Sequence, residues 1–286
     1  MILVTGATGN VGSAVLDALD PAAVRAGIRS GEDPVEGVEN VEFDFFDPAT
    51  YVPALDGATK MFLVRPPAIA DMDATLVPFV EQAVAMGVDH VAFLSLMGAE
   101  QNKRVPHRRV EEILLEVGVD HTFIRPGFFM QNFNTAYAED IRERGEIIIP
   151  AGRGRTSFID TRDIGAVTAL TLTEPGHRNT AYTLTGGEAL NYFEAAEILS
   201  EVLGREITYT KPTPQAYGRI MKERGVNEEY IHVMQTLYIT VRLGLSARIT
   251  DEVEQLLGRA PISFRQYAED YAHVWQQSEE KSYASQ

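Results

Sequence analysis

The chain contains no cysteine, which excludes disulfides, thiolate nucleophiles and zinc–sulfur or iron–sulfur sites. It is also short of positive charge, with 25 Lys and Arg against 41 Asp and Glu and a net charge of −16. Such an excess repels phosphate backbones and anionic lipid, so no direct nucleic-acid partner is expected. Apolar runs fall short of the ~18 residues that span a bilayer. Even the stretch Ile164 to Leu172 is broken by threonines and flanked by Asp163 and Glu174, and no membrane partner is expected. The N-terminus has no basic region or small-residue cleavage site, which makes the cytoplasm the expected location. Lysine is scarce at five positions (Lys60, Lys103, Lys211, Lys222, Lys281) beside 20 arginines. A high-salt or GC-rich source and a generic acidic surface both account for that balance. His90, His107, His121, His177, His232 and His273 show no i, i+4 pairing, so no metal site is expected. A Gly-x-Ser-x-Gly elbow is missing as well.

What is present reads as a core-forming chain of 286 residues, 45% hydrophobic and 23% charged. Short β-branched or apolar runs alternate with longer amphipathic stretches through the first half, the pattern of βαβ units. Strands are expected at Met1 to Thr5, Val24 to Ile28, Val41 to Phe45, Lys60 to Val64, His90 to Leu94 and His121 to Ile124. Helical periodicity marks Val11 to Leu19, Leu76 to Met86 and Val110 to Val117. After Arg125-Pro126-Gly127 the alternation loosens into short strand-like pieces at Glu146 to Ile149, Tyr182 to Thr185 and Ile207 to Thr210. Asn191 then caps a helix ending at Gly204. The expected class is α/β: a Rossmann-type doubly wound parallel sheet with a smaller mixed α/β C-terminal lobe. Residues 1–150 would form the nucleotide-binding domain, completed by segments from 155–185. Residues 186–277 would form most of the lobe, and 278–286 a flexible tail.

Gly6-Ala7-Thr8-Gly9-Asn10-Val11-Gly12 follows the first strand and opens the first helix, the context in which such a run binds a dinucleotide. Gly6 permits the tight turn, Gly9 admits the pyrophosphate to the backbone, and Gly12 lets the helix lie close, with its free N–H groups facing the anion. No Lys-Ser or Lys-Thr pair follows, so a P-loop is excluded. The second strand ends in Arg29-Ser30, a guanidinium and hydroxyl suited to a 2′-phosphate, and NADP(H) is therefore expected over NAD(H). Glu32-Asp33 nearby would weaken that preference. Asp44 and Phe45 are placed to meet adenine through a carboxylate and an aromatic ring.

These residues, with Asp47, Val91-Ala92-Phe93-Leu94-Ser95, Phe123 to Asn132 and Phe158-Ile159-Asp160-Thr161-Arg162-Asp163-Ile164, resemble the NmrA-like group of atypical short-chain dehydrogenases across nearly the whole chain. The resemblance implies an NADP-binding Rossmann domain and a small C-terminal substrate lobe. The group includes quinone, triphenylmethane-dye and phenylpropanoid reductases, and NAD(P)-binding regulators without established catalysis.

Ligands of an open α/β sheet lie beyond the carboxyl ends of its strands, here Val64-Arg65-Pro66-Pro67, Ser95-Leu96-Met97 and Pro126-Gly127-Phe128-Phe129. The Tyr-x-x-x-Lys pair of a typical short-chain dehydrogenase is missing, and His107-Arg108-Arg109 occupies the region. The resemblance puts His107 where such enzymes often carry Lys or His, so it is a candidate ribose ligand or proton donor. Arg108 and Arg109 beside it would disfavour the imidazolium. Ser95 is a second catalytic candidate, through its hydroxyl. Phe128, Phe129, Met130 and Phe133 form an apolar cluster read either as core or as the wall for a flat acceptor, with Tyr238 and Met234 weaker candidates of the same kind. Two functions follow: a reductase that passes hydride to a small quinone-like, unsaturated or aryl acceptor, or a redox sensor acting through a regulatory protein partner. A homodimer is compatible with both.

Overall fold

The computed structural model describes residues 1–66, 69 and 71–276; Pro67 and the expected tail, 278–286, lie outside the described residues. In chain order the strands and α-helices are β1 (Ile2–Val4), α1 (Asn10–Asp17), β2 (Val24–Ile28), β3 (Glu39–Glu42), α2 (Tyr51–Leu55), β4 (Lys60–Val64), α3 (Met72–Ala85), β5 (His90–Leu94), α4 (Pro106–Val117), β6 (Asp120–Pro126), β7 (Glu146–Ile147), α5 (Thr161–Thr173), β8 (Thr180–Leu184), α6 (Tyr192–Leu203), β9 (Thr208–Tyr209), α7 (Pro214–Glu223), α8 (Glu228–Arg242), α9 (Glu252–Leu257) and α10 (Phe264–Asp270).

Two compact units form. The first comprises Met1–Gly127, Thr161–Leu184 and Glu252–Ala260. It holds a seven-stranded sheet in the order β3-β2-β1-β4-β5-β6-β8, with every pairing parallel. The order reverses beside β1, where Ile2 lies opposite both Val24 and Lys60. Strands β2, β4 and β5 have the expected bounds because each is a largely apolar run closed by a polar residue, Arg29, Arg65 and Ser95. Strand β3 begins and ends earlier than expected, at Glu39 and Glu42. The sheet has seven strands rather than six because the Thr180–Leu184 run lies beside β6, with Thr122 opposite Thr180. Helices α1 and α5 meet closely: a Cβ on Gly165 would sit 2.4 Å from the Ala14 carbonyl oxygen.

The core of this unit runs from Leu3 through Met61, Phe79, Val91 and Phe93 to Ile113. Phe79 gathers Phe43, Phe45 and Tyr51 around it, with ring centroids 4.8, 5.3 and 5.0 Å away. At about 1.5 to 3 kcal/mol per buried large side chain, this packing is the main support for the strand ends described below.

The second unit comprises Phe128–Asp160, Thr185–Asp251 and the described residues from Pro261 onward. Its short strands β7 and β9 pair in parallel. Helix α6 starts in a complete capping box, with Asn191 accepting from the Glu194 backbone N–H and Glu194 accepting from that of Asn191. An aromatic core surrounds Phe133, whose ring lies 4.9 Å from Phe264 and whose carbonyl accepts from the Trp275 indole at 2.9 Å. No helix among the described residues is long and apolar enough to cross a membrane.

Candidate dinucleotide site

At the reversal beside β1 the backbone makes a turn only glycine fits. Gly6 has φ +62°, and a Cβ there would press on Val64 at the end of β4, 3.3 Å from its Cβ. Thr5 ties the two strand ends together, its hydroxyl donating to the Phe62 carbonyl at 3.1 Å and accepting the Val64 N–H at 2.9 Å. The Gly9 N–H donates back to the Gly6 carbonyl at 3.0 Å. A Cβ on Gly12 would lie 2.0 Å from that same carbonyl oxygen, whereas one on Gly9 would be 3.3 Å away. Gly9 is the N-cap of α1 and supplies no side-chain cap, so the turn sets exposed Thr8 and Asn10 around an uncapped helix N-terminus. The buried side chain of Val11 leaves its backbone as the part available to an anion.

Beyond β2, Arg29 and Ser30 are exposed. Arg29 does not stand alone: its Nε donates to Glu32 at 2.7 Å, and the same carboxylate accepts from the Thr8 hydroxyl at 3.2 Å. Slight burial pushes the Glu32 carboxyl up, but the hydrogen bonds from Arg29 and Thr8 outweigh it and leave the group below its ordinary range. Asp44 is half-buried and accepts from the Phe46 N–H at 2.9 Å. Phe45 departs from expectation, being 6% exposed and packed in the core against Phe43 and Phe79. Phe43 and Phe45 alternate inward, which turns Asp44 and the exposed Phe46 to the other side. That alternation is the signal by which Phe46 would have been chosen.

Half-buried Arg65 and Pro66 follow β4, with the Arg65 guanidinium donating to the Pro66 and Ile69 carbonyls at 3.1 and 3.0 Å. At the end of β5, Ser95 is buried, and its hydroxyl donates to Glu111 of α4 at 2.7 Å. The fully buried Glu111 takes both Nε and Nη2 of Arg125, each at 2.8 Å. This pair was not among the sequence candidates. Its signal is a carboxylate on the apolar face of α4 between Val110 and Leu114, where an acid requires a partner. Burial first, then the Arg125 hydrogen bonds, act in opposite directions on the guanidinium, and the bonds leave it raised.

His107 stands in the first turn of α4, its ring 6.2 Å from Phe93, and its buried Nδ1 has no hydrogen-bond partner among the described residues. Burial and then the Arg65 charge pull the imidazole down to about 4, with Glu111 opposing. The direction is the expected one, but its source differs. Arg108 and Arg109 are spent on ion pairs with Glu112 and with Asp73 and Glu116, so burial dominates and the charge that adds to it is that of Arg65. Buried Pro126 ends β6, and the Gly127 N–H donates to Leu184 at 2.9 Å.

The apolar candidates belong to the second unit. Met130 and Phe133 are 1% and 0% exposed and lie within its aromatic core, so they offer no surface to a substrate. The reason is local: Met130 begins a 3₁₀ turn pinned to Ile159, which turns both side chains inward. Phe128 and Phe129 are half-exposed, as is Met234, while Tyr238 is fully buried.

A parallel sheet in this order, with a glycine turn at its reversal point, defines a Rossmann-type dinucleotide-binding protein. The chain belongs to the NmrA-like family, whose model matches residues 1–268. It is 36% identical over 284 residues to an NAD(P)H azoreductase of Xenophilus azovorans, covering 95% of this chain and 98% of that one. Two solved structures share the fold. The NADPH complex of an Escherichia coli NADPH-dependent quinone oxidoreductase matches with a TM-score of 0.82 at 24% identity, over 96% of this chain and 100% of that one. The NADP(H) complex of a Citrobacter triphenylmethane reductase matches with a TM-score of 0.80 at 24% identity, over 95% and 100%.

Proposed function

We propose that this chain is an NAD(P)H-dependent reductase that prefers NADP(H), acts in the cytoplasm and delivers hydride to a small quinone-like, unsaturated or aryl acceptor. The observation that carries the reading is the glycine cradle: a turn in which Gly6 and Gly12 are required by geometry, while Gly9 remains accessible above an uncapped helix N-terminus. Those residues fit a dinucleotide pyrophosphate, and Arg29 and Ser30 fit a 2′-phosphate. The azoreductase relative supports redox chemistry on an aryl acceptor.

When bound, the dinucleotide supplies the hydride. The chain binds and orients it: Gly9 admits the pyrophosphate and the backbone N–H groups of Asn10 to Gly12 hold it, Arg29 and Ser30 hold the 2′-phosphate, and Asp44 the adenine amino group. Val64, Arg65, Pro66, Pro126, Gly127 and Phe128 flank the nicotinamide end in this assignment. His107 is neutral at pH 7 given its depressed titration, so it serves as a hydrogen-bonding group toward the ribose rather than as a standing acid. Ser95, held by Glu111, offers its oxygen as an acceptor and not a free proton. A quinone reduced by hydride takes its remaining proton from water, so the lack of Tyr-x-x-x-Lys is consistent with turnover.

Consumption of NADPH against a panel of quinones and dyes, together with titration of NADPH and NADH, tests the proposal. Acceptor-dependent oxidation with tighter NADPH binding is expected. Tight binding with no turnover on any acceptor overturns the enzyme reading and leaves a sensor that signals through a protein partner, which the absent Tyr-x-x-x-Lys pair favours.

A further inference from the structure

The second unit contains a recess of about 440 Å³ lined by Arg153, Gly154, Arg155, Arg242, Leu243 and Ala247 among others. Three arginines on one recess are conspicuous in a chain of net charge −16. The backbone brings them together. A Cβ on Gly154 would lie 2.0 Å from the Val241 carbonyl, so the Gly152–Arg155 loop rests directly on the last turn of α8. Gly152 has φ +66°, and its missing Cβ leaves room for Arg242, whose guanidinium donates to the Pro150 carbonyl at 3.4 Å.

The three differ in how their charge is met. Arg155 is neutralised, with Nη2 2.8 Å from both oxygens of Glu194. Arg153 and Arg242 have no carboxylate partner among the described residues. Arg153 lies over the Phe193 ring at 5.4 Å, and Lys211 approaches the same ring at 5.9 Å. Leu243 of the lining is 69% exposed, and Phe193, outside the lining but beneath the Arg153 guanidinium, is 38% exposed, so apolar surface adjoins both arginines. Arg242 also complements the carbonyl end of α8, whereas the contact of Arg153 with the Phe193 face leaves its charge without a counter-ion among the described residues.

We propose that this recess binds an organic oxyanion, a sulfonate, phosphate or carboxylate on an apolar or aromatic body, with Arg153 and Arg242 holding the head and Phe193 and Leu243 flanking the body. Two guanidiniums without a counter-charge beside an apolar rim match that chemistry better than a bare inorganic ion, which would leave the rim unused. Binding at the site does not depend on the reductase reading, because it is assayed without cofactor or turnover; the source of the anion alone is read through turnover.

The test titrates benzenesulfonate and inorganic phosphate into the cofactor-free protein by calorimetry. The expected result is saturable one-site binding of both, benzenesulfonate the tighter, weakened at least about tenfold in Arg153→Gln/Arg242→Gln. The substitutions are at exposed positions, and an unchanged unfolding transition and unchanged NADPH affinity verify that the fold and the dinucleotide site persist. Arg219→Gln, which removes an exposed charge outside the lining, should leave both affinities alone. Absence of saturation, wild-type affinity in the double variant, or equal loss in Arg219→Gln overturns the site. A second arm identifies the source of the anion, by comparing 1,4-naphthoquinone with its 2-sulfonate as acceptors. A KM raised by the double variant for the sulfonate alone assigns the recess to the acceptor's own substituent, and equal KM values with intact anion binding in the wild type assign it to a separate anion.

Discussion

Gly9 and Gly12 occupy the same turn for different reasons, and substituting each separates ligand approach from backbone packing. In Gly12→Ala the new Cβ meets the Gly6 carbonyl oxygen at 2.0 Å and its carbon at 2.7 Å, so turn and helix must part by more than about 1 Å to restore ordinary contact. Forcing a methyl into so tight a packing costs about 3 kcal/mol or more, and both stability and nucleotide binding should fall. In Gly9→Ala the Cβ sits 3.3 Å from the same oxygen, and the residue's φ of −84° and ψ of 165° are open to any side chain. Stability should therefore change by less than about 1 kcal/mol. Binding should nonetheless collapse, because the methyl occupies the approach to the backbone N–H groups. Two lost hydrogen bonds to a charged pyrophosphate, at roughly 1.5 to 3 kcal/mol each, amount to at least about a hundredfold in Kd. Urea unfolding and nucleotide fluorescence titration read the two effects separately, and Gly9→Val should deepen only the second. Retained NADPH affinity in Gly9→Val would show that the loop is a turn and not a binding cradle.

Arg29→Ala should narrow the preference for NADPH over NADH by ~1 to 3 kcal/mol in paired titrations, while equal losses for both would show that Arg29 does not read the 2′-phosphate. Glu111→Ala should destabilise the fold by about 3 kcal/mol in denaturant unfolding, since it removes the two short hydrogen bonds of a largely buried Arg125 and leaves it the Glu100 carboxylate at 3.4 Å; a change under about 1 kcal/mol would contradict that geometry. His90 and His107 both titrate at about 4 in the folded protein, each chiefly through burial, against 6.5 when unfolded. The unfolded chain binds more protons between those values, so stability should be full above about pH 6.5 and fall as pH drops toward 4, by up to about 3 kcal/mol for each residue. His107→Gln should flatten part of that slope and weaken NADPH binding without removing a limb from the pH–rate profile near neutrality; loss of such a limb would assign the residue a proton-donor role.

Much of the first unit was legible because its signals are local. The glycine run needed only its flanking strand and helix to be interpreted, and the β4 and β5 runs state their own bounds. Failures arose where the deciding partner is distant in sequence. Ser95, Glu111 and Arg125 form one buried network across two strands and a helix, and no periodicity links a serine to an acid 16 residues away. The depressed titration of His107 has the same character, since it comes first from burial and then from Arg65 at the end of another strand, while the neighbouring arginines are paired elsewhere. Phe45 was assigned to the wrong side because β3 stops at Glu42, so inward alternation at Phe43 and Phe45 carries on past the strand. Met130 and Phe133 show that an aromatic run after a strand is weak evidence for a pocket: the 3₁₀ turn buries them, and only Phe128 and Phe129 stay partly open.

The most direct test of the central claim is a single turnover. Enzyme loaded with one equivalent of NADPH is mixed with a quinone, and the nicotinamide absorbance is followed against wild-type enzyme without acceptor and against Gly9→Val. The account predicts decay that requires both acceptor and an intact cradle, with one hydroquinone formed per NADPH consumed; NADPH that stays bound and unoxidised in the presence of every quinone and dye tried would contradict it.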